Sequence, residues 1–122
     1  MCILDTEASV EHLVRGTSGG ADALLAVVEP YPRSLLTGLR TVRLARDLGI
    51  AKVVLVANKV AGPRDEETVR AYAAEHGLPV LALIPDDPVF RAADLTGAAV
   101  MDLDASGPAA RSVGVLADAL TA

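Results

Sequence analysis

The stretch KVVLVAN, Lys52–Asn58, sets five apolar residues in an unbroken row between a lysine and an asparagine. A strand with one wet face alternates apolar and polar side chains, whereas a continuous run is the mark of a strand buried on both faces of a parallel sheet. Outward from this run lie others of the same kind: ALLAVVE (Ala23–Glu29), PVLALIP (Pro79–Pro85) and, at the start, CILD (Cys2–Asp5). Four parallel strands are expected, near residues 2–5, 23–29, 52–58 and 80–84.

Helical patterns fill the intervals. In SLLTGLRTVRLARDLG, Leu35, Leu39, Val42, Ala45 and Leu48 fall on one face, Ser34 is placed to cap the start and Gly49 to end it. Arg40, Arg43 and Arg46 line the opposite, solvated side. In DEETVRAYAAEHG, Asp65, Glu66 and Glu67 suit the positive end of a helix dipole, and Gly77 is a stop. Further helices are expected from about Ser9 to Arg15 and from about Pro108 to Leu120. The repeating unit of strand, loop and helix predicts an α/β domain spanning residues 1–122, with a parallel sheet, right-handed crossovers and helices on both faces.

Composition narrows the function classes. Hydrophobic residues make up 52% of the 122 but aromatics only 2%, so the core is built from Ala, Val and Leu. Tyr31, Tyr72 and Phe90 cannot form a stacking platform for single-stranded nucleic acid, and a net charge of −5 opposes duplex binding. No nucleic-acid partner is expected. The lone Cys2 offers neither a disulfide framework nor a cysteine metal pair, and is expected to be a small buried strand residue. No apolar run approaches the ~18 residues of a membrane span, and the first residues lack a basic leader pattern, so a cytoplasmic chain without membrane attachment is expected.

Ligands of open parallel sheets sit beyond the carboxyl ends of the strands. Those ends are Asp5–Ser9, Glu29–Arg33, Asn58–Pro63 and Pro85–Val89. A carboxylate such as Asp5 can take Mg²⁺ through water while the ion bridges nucleotide phosphates, or it can cap the following helix. The carboxamide of Asn58 offers donor and acceptor to a purine edge, with the Lys59 stem along the base plane and its ammonium in water; Asn is also common in plain turns. Ala61 stands where a guanine site would want a carboxylate, which favours adenine. Pro85, Asp86 and Asp87 offer a rigid edge for a base, or only a turn. His76 suits a helix C-terminus, and His12 lacks a second ligand at metal-binding spacing.

Taken in order, ILDTEASVEHLVRGT, ADALLAVVEPYPRSL, RLARDLGIAKVVLVANKV and LPVLALIPDDPVFRAADLTG resemble the C-terminal half of a MinD/ParA-type ATPase. The run Asp5, Thr6, Glu7, Ala8, Glu11, His12 is similar to the CO dehydrogenase nickel-insertion accessory ATPases (CooC type). The resemblance implies a partial P-loop NTPase fold with ATP and Mg²⁺ as ligands. Asp5 would be the Walker B magnesium aspartate and catalytic residue, Asn58 would read adenine, and Pro85 to Asp87 would border the base. Ser9 would face the γ-phosphate where the family has glycine, which serves positive φ without penalty. The family's Gly-rich loop, Lys-Gly-Gly-x-Gly-Lys-Thr in form, should lie upstream of Asp5 and has no match in these residues. A truncated gene, a misplaced start or a trimmed chain would each account for that.

Two functions follow from the resemblance. One is a truncated ATPase whose full form is an ATP-driven dimeric switch for nickel insertion into a metalloenzyme, with a second copy or a client metalloenzyme as partner. The other is a non-catalytic remnant or interaction module that keeps the fold and binds no nucleotide. On either, the chain alone is expected to be inactive and to hold ATP weakly or not at all. A phospho-receiver domain is excluded, because Lys59 stands at the third run's end where that fold needs its acceptor aspartate. The resemblance also puts the P-loop strand between the first and second strands, so that pairing of those strands or another chain is expected to close the gap.

Overall fold

The computed structural model describes residues 1–5 and 21–121. Three parallel strands form one sheet in sequential order: β1 (Ala23–Val28), β2 (Lys52–Val60) and β3 (Val80–Pro85). Helix α1 (Pro32–Asp47) crosses from β1 to β2, and α2 (Pro63–His76) from β2 to β3. Three further helices follow, α3 (Pro88–Thr96), the short α4 (Val100–Leu103) and α5 (Pro108–Thr121).

The continuous apolar runs behave as expected. Val53 to Ala57 of β2 are all buried, and successive side chains go to opposite faces of the sheet. Val53, Leu55 and Ala57 join Ala26 and Val28 of β1, Leu35, Leu39, Val42 and Ala45 of α1, and Val69 and Ala73 of α2 in a single core. Val54 and Val56 serve the other face, where Ala82 of β3 and Ala109 and Ala110 of α5 are also buried and α5 packs on β3. Arg40, Arg43 and Arg46 are exposed, as their stripe implied. Helix α2 ends at Gly77, whose φ of 64° lies in the left-handed region that glycine enters without a β-carbon clash.

Five expectations need correction. Residues 2–5 form no strand: residues 1–5 are exposed and irregular, and Cys2 is an exposed thiol, not a buried one. A short apolar run becomes a strand only where a neighbour completes its ladder and covers a face, and among the described residues β1 pairs with β2 alone. Direct closure of the gap between those two runs is therefore not found. Ser34 does not cap α1. The helix begins two residues earlier at Pro32, whose fixed φ suits the first helical position, and Ser34 Oγ instead accepts from the Glu29 N–H at 2.8 Å. Finally, β2 runs on to Val60 instead of ending at Asn58. Helix α3 was not anticipated, although Asp87 and Pro88 at its start and Gly97 at its end are ordinary boundary residues. The helix expected over 9–15 lies outside the described residues.

The seat of α1 on β1 rests on a missing side chain. A methyl group added at Gly38 would run into Cγ1 of the buried Val28, so the helix can approach the strand only without it. Gly114 in α5 has nothing within 4 Å of the same position among the described residues. Gly114→Ala should therefore stabilise the chain by about 0.5–1 kcal/mol through helix propensity. Gly38→Ala should destabilise it by about 1 kcal/mol net, since overpacking at about 1–3 kcal/mol outweighs that gain. Equilibrium unfolding in urea of the two variants should show opposite signs.

Candidate functional site

The carboxyl ends of β2 and β3 open into a concavity of about 600 Å³. Asn58, Lys59, Pro85, Asp86 and Asp87, five of the residues expected from the sequence to bind a cofactor, all line it. The parallel pairing of β2 with β3 sets their exits side by side: Ala57 pairs with Leu83 and Val60 with Pro85. The Asp86 N–H donates to the Val60 carbonyl at 3.0 Å, tying the two exits together just past the sheet. Ile84, Pro88, Phe90 and Arg91 complete the wall. Phe90 and Arg91 reach it because α3 starts immediately after the Asp86–Asp87 turn, with the Asp87 carboxylate capping the helix by accepting from the Val89 N–H at 3.0 Å.

Between Ala57 and Val60 the ladder slips, β2 advancing one residue more than β3. Asn58 and Lys59 occupy this bulge, a device that re-aims side chains at a sheet's rim. Among the described residues Lys59 is the only residue other than glycine at positive φ, at 54°. The Asn58 Oδ1 accepts from the Lys59 N–H at 2.9 Å, which leaves a second lone pair and both amide hydrogens to meet a ligand. Asp65 turns back to accept from the Ala61 N–H at 2.9 Å, so it does not replace the carboxylate that Ala61 lacks.

Lys59 faces two ways. Its side chain lines the concavity, while its ammonium pairs with the Glu29 carboxylate of the β1 exit at 2.8 Å. The Tyr31 hydroxyl lies near the same carboxylate. These neighbours hold the Glu29 carboxyl below its ordinary value, Lys59 first and Tyr31 second, and the Glu29 partner raises both Lys59 and Tyr31. Sequence reasoning placed Glu29 and Tyr31 at a strand exit without a role, and gave Phe90 and Arg91 no part here. Glu29 was within reach of it: once β1 and β2 are paired in parallel, the acid ending one run and the lysine ending the next must be neighbours.

The donors and acceptors of the concavity suit a purine. An amide, an adjacent aromatic ring and a proline edge on a rigid sheet rim can hold a flat heteroaromatic ligand. The residues fit magnesium less well. Asp5 lies in the exposed, irregular stretch, and among the described residues no group of three His, Cys, Asp or Glu side chains could hold a metal ion. Ser9 lies outside the described residues. No helix among them is long and apolar enough to cross a membrane.

No family model matches the chain. Curated relatives do. Over 103 residues it is 43% identical to the carbon monoxide dehydrogenase accessory protein CooC of Rhodospirillum rubrum, an alignment covering 84% of this chain and 38% of that protein. An uncharacterized ATP-binding protein of Methanocaldococcus jannaschii is 41% identical over 85 residues, 70% of this chain and 33% of its own length. The fold matches solved MinD structures, at a TM-score of 0.72 and 22% identity for the cell division ATPase of Pyrococcus furiosus, covering 82% of this chain and 42% of that one. For MinD of Aquifex aeolicus the TM-score is 0.75 at 18% identity, with 88% and 47% covered. The chain is thus related in sequence to CooC and to ATP-binding proteins, and its fold is that of the MinD ATPases. It spans less than half the length of the relatives it matches.

The ion pair at the rim makes a testable prediction. A carboxyl held below its ordinary value lends stability that is present above the unfolded value and is lost as pH falls through the folded one. Carboxyl ¹³C NMR should find Glu29 titrating below 4.5, the ordinary glutamate value. In Lys59→Met its midpoint should rise, since the larger of its two supports is gone.

Proposed function

We propose that this chain supplies the adenine-reading rim of a MinD/ParA-type ATPase, with Asn58 pairing to the base edge and the Lys59 stem, Pro85 and Asp86 bordering it. The observation that carries this is the meeting of Asn58, Lys59, Pro85, Asp86 and Asp87 in one concavity at the carboxyl edge of a parallel sheet. Phe90 offers the base a ring face. Asp87, committed to capping α3, shapes the wall through the backbone rather than by contact. Asp5 is assigned the magnesium and catalytic role, and Ser9 the γ-phosphate, by family resemblance; Asp5 would meet the ion through water.

The relation to CooC supports a wider proposal: the activity served is an ATP-driven, dimeric switch in metalloenzyme maturation, with nickel as cargo and a carbon monoxide dehydrogenase as client. Pairing with another protein is supported by the fold neighbour seen in a MinC:MinD complex, whose MinD chain matches at a TM-score of 0.77. Loss of the gene should then lower the nickel content of the client enzyme in the same cells.

The base site itself is tested on the 122-residue chain. Phosphate affinity in P-loop enzymes comes mainly from the backbone amides of a Gly-rich loop and its lysine, a motif these residues do not contain. Base contacts alone, at roughly 0.5–1.5 kcal/mol per hydrogen bond, leave little after the ordering cost of association. Mg-ATP should bind no tighter than about 1 mM, or about −4 kcal/mol, without turnover. NMR titration should show shifts at Asn58, Lys59, Asp86 and Phe90, stronger with adenine than guanine nucleotides. Asn58→Ala should lose that preference and about 1–3 kcal/mol where the amide is buried against the base. Shifts elsewhere, or a low-micromolar affinity with turnover lost in Asp5→Ala, would overturn this assignment.

A further inference from the structure

Beyond Ala57, paired with Val28, the ladder between β1 and β2 stops, yet the two exits stay connected through side chains. Glu29, the first residue past β1, takes the Lys59 ammonium at 2.8 Å, with the Tyr31 hydroxyl nearby. Tyr31 is itself fixed as the residue on which α1 starts, with its N–H donating to the Glu29 carbonyl at 2.8 Å. The Glu29 N–H is held by Ser34 Oγ at 2.8 Å, so the carboxylate projects from a backbone bonded on both sides. The far end of this bridge is Lys59, which has a β-carbon and nevertheless stands at φ 54°. Such backbone is disfavoured for an L-residue and persists where its surroundings over-determine it. Next to it, and bonded to its N–H, is the carboxamide of Asn58 in the wall of the concavity.

We propose that Glu29, seconded by Tyr31, is a positioning residue: a latch from the β1 exit that holds Lys59 in its left-handed conformation and so aims the Asn58 carboxamide into the concavity. The second half rests on the base-reading role given to Asn58 above; the first does not. The chemistry is specific to the pair. A carboxylate beside an ammonium forms a charge-assisted bond, with the phenol of Tyr31 close by, whereas a neutral amide at position 29 keeps the shape and loses the charge. The other charged groups felt at the latch are Arg33 beside Tyr31 and Asp86 beside Lys59, and neither bridges the two strand exits. Because the pair is partly exposed, the latch biases a local equilibrium at the rim and leaves the core untouched.

The test uses the whole chain and two variants, Glu29→Gln and Tyr31→Phe, with adenosine as the probe. Backbone carbon shifts and the intraresidue amide–Hα NOE report directly whether residue 59 is at positive φ, a readout that a general loss of stability would not move. In Glu29→Gln the population at positive φ should fall relative to its alternatives by about two- to fivefold, the reach of an exposed ion pair. Adenosine binding, followed at the Asn58 side-chain amide, should weaken by a similar factor. Tyr31→Phe should move both in the same direction by less. If residue 59 keeps its positive φ in Glu29→Gln, the latch is overturned whatever adenosine does. If residue 59 relaxes while the Asn58 amide responds to adenosine as before, the aiming role is overturned. If adenosine leaves the unmodified chain unperturbed, the base-reading assignment and the aiming role fall together, and the φ measurement alone still decides the latch.

Discussion

Burial of Val53 to Ala57 on both faces of β2 is the constraint on which the molecule depends. A central strand with no solvated side needs a helical layer above it and another below, and its backbone needs a strand on each edge. α1 and α2 cover one face and α5 the other, while β1 and β3 take the edges. The site inherits its rigidity from this arrangement. Asn58 and Lys59 are the first residues of β2 past the buried stretch, so a bulge carrying unusual backbone is anchored on one side by five residues that have nowhere else to go.

The same geometry shows why much of the fold was legible. Continuous runs of Val, Leu and Ala separated by one helix each admit few arrangements other than a parallel sheet, and the three interior runs became strands close to their expected bounds. CILD failed because strand formation is a property of a pair. Its apolar residues were read as a strand, but nothing among the described residues gives them a ladder. Ser34 failed for a local reason, since Pro32 competes for the helix start and a serine two positions later is free to bond elsewhere.

The site divides in a similar way. Asn58, Lys59 and the Pro85 turn were found because they follow apolar runs, and parallel strands gather such ends on one rim. Phe90 and Arg91 were not, because they enter from α3, whose short pattern is overshadowed by the Pro-Asp-Asp-Pro turn before it. The positive φ of Lys59 had no signature at all. Lysine is not a residue that advertises left-handed backbone, and the slip in register at which it stands shows only once β3 is paired with β2.

The sheet's order carries a kinetic meaning. Among the described residues each strand lies beside the one before it in the chain, with a single helix between, so none of these pairings has to wait for a distant segment to arrive. Loop closure is the slow, entropically unfavourable step for parallel strands, and here each closure spans one helical crossover. During synthesis, β1, α1 and β2 can assemble as a unit as soon as they emerge, before β3 exists. Once it is made, β3 supplies the second edge that β2 needs.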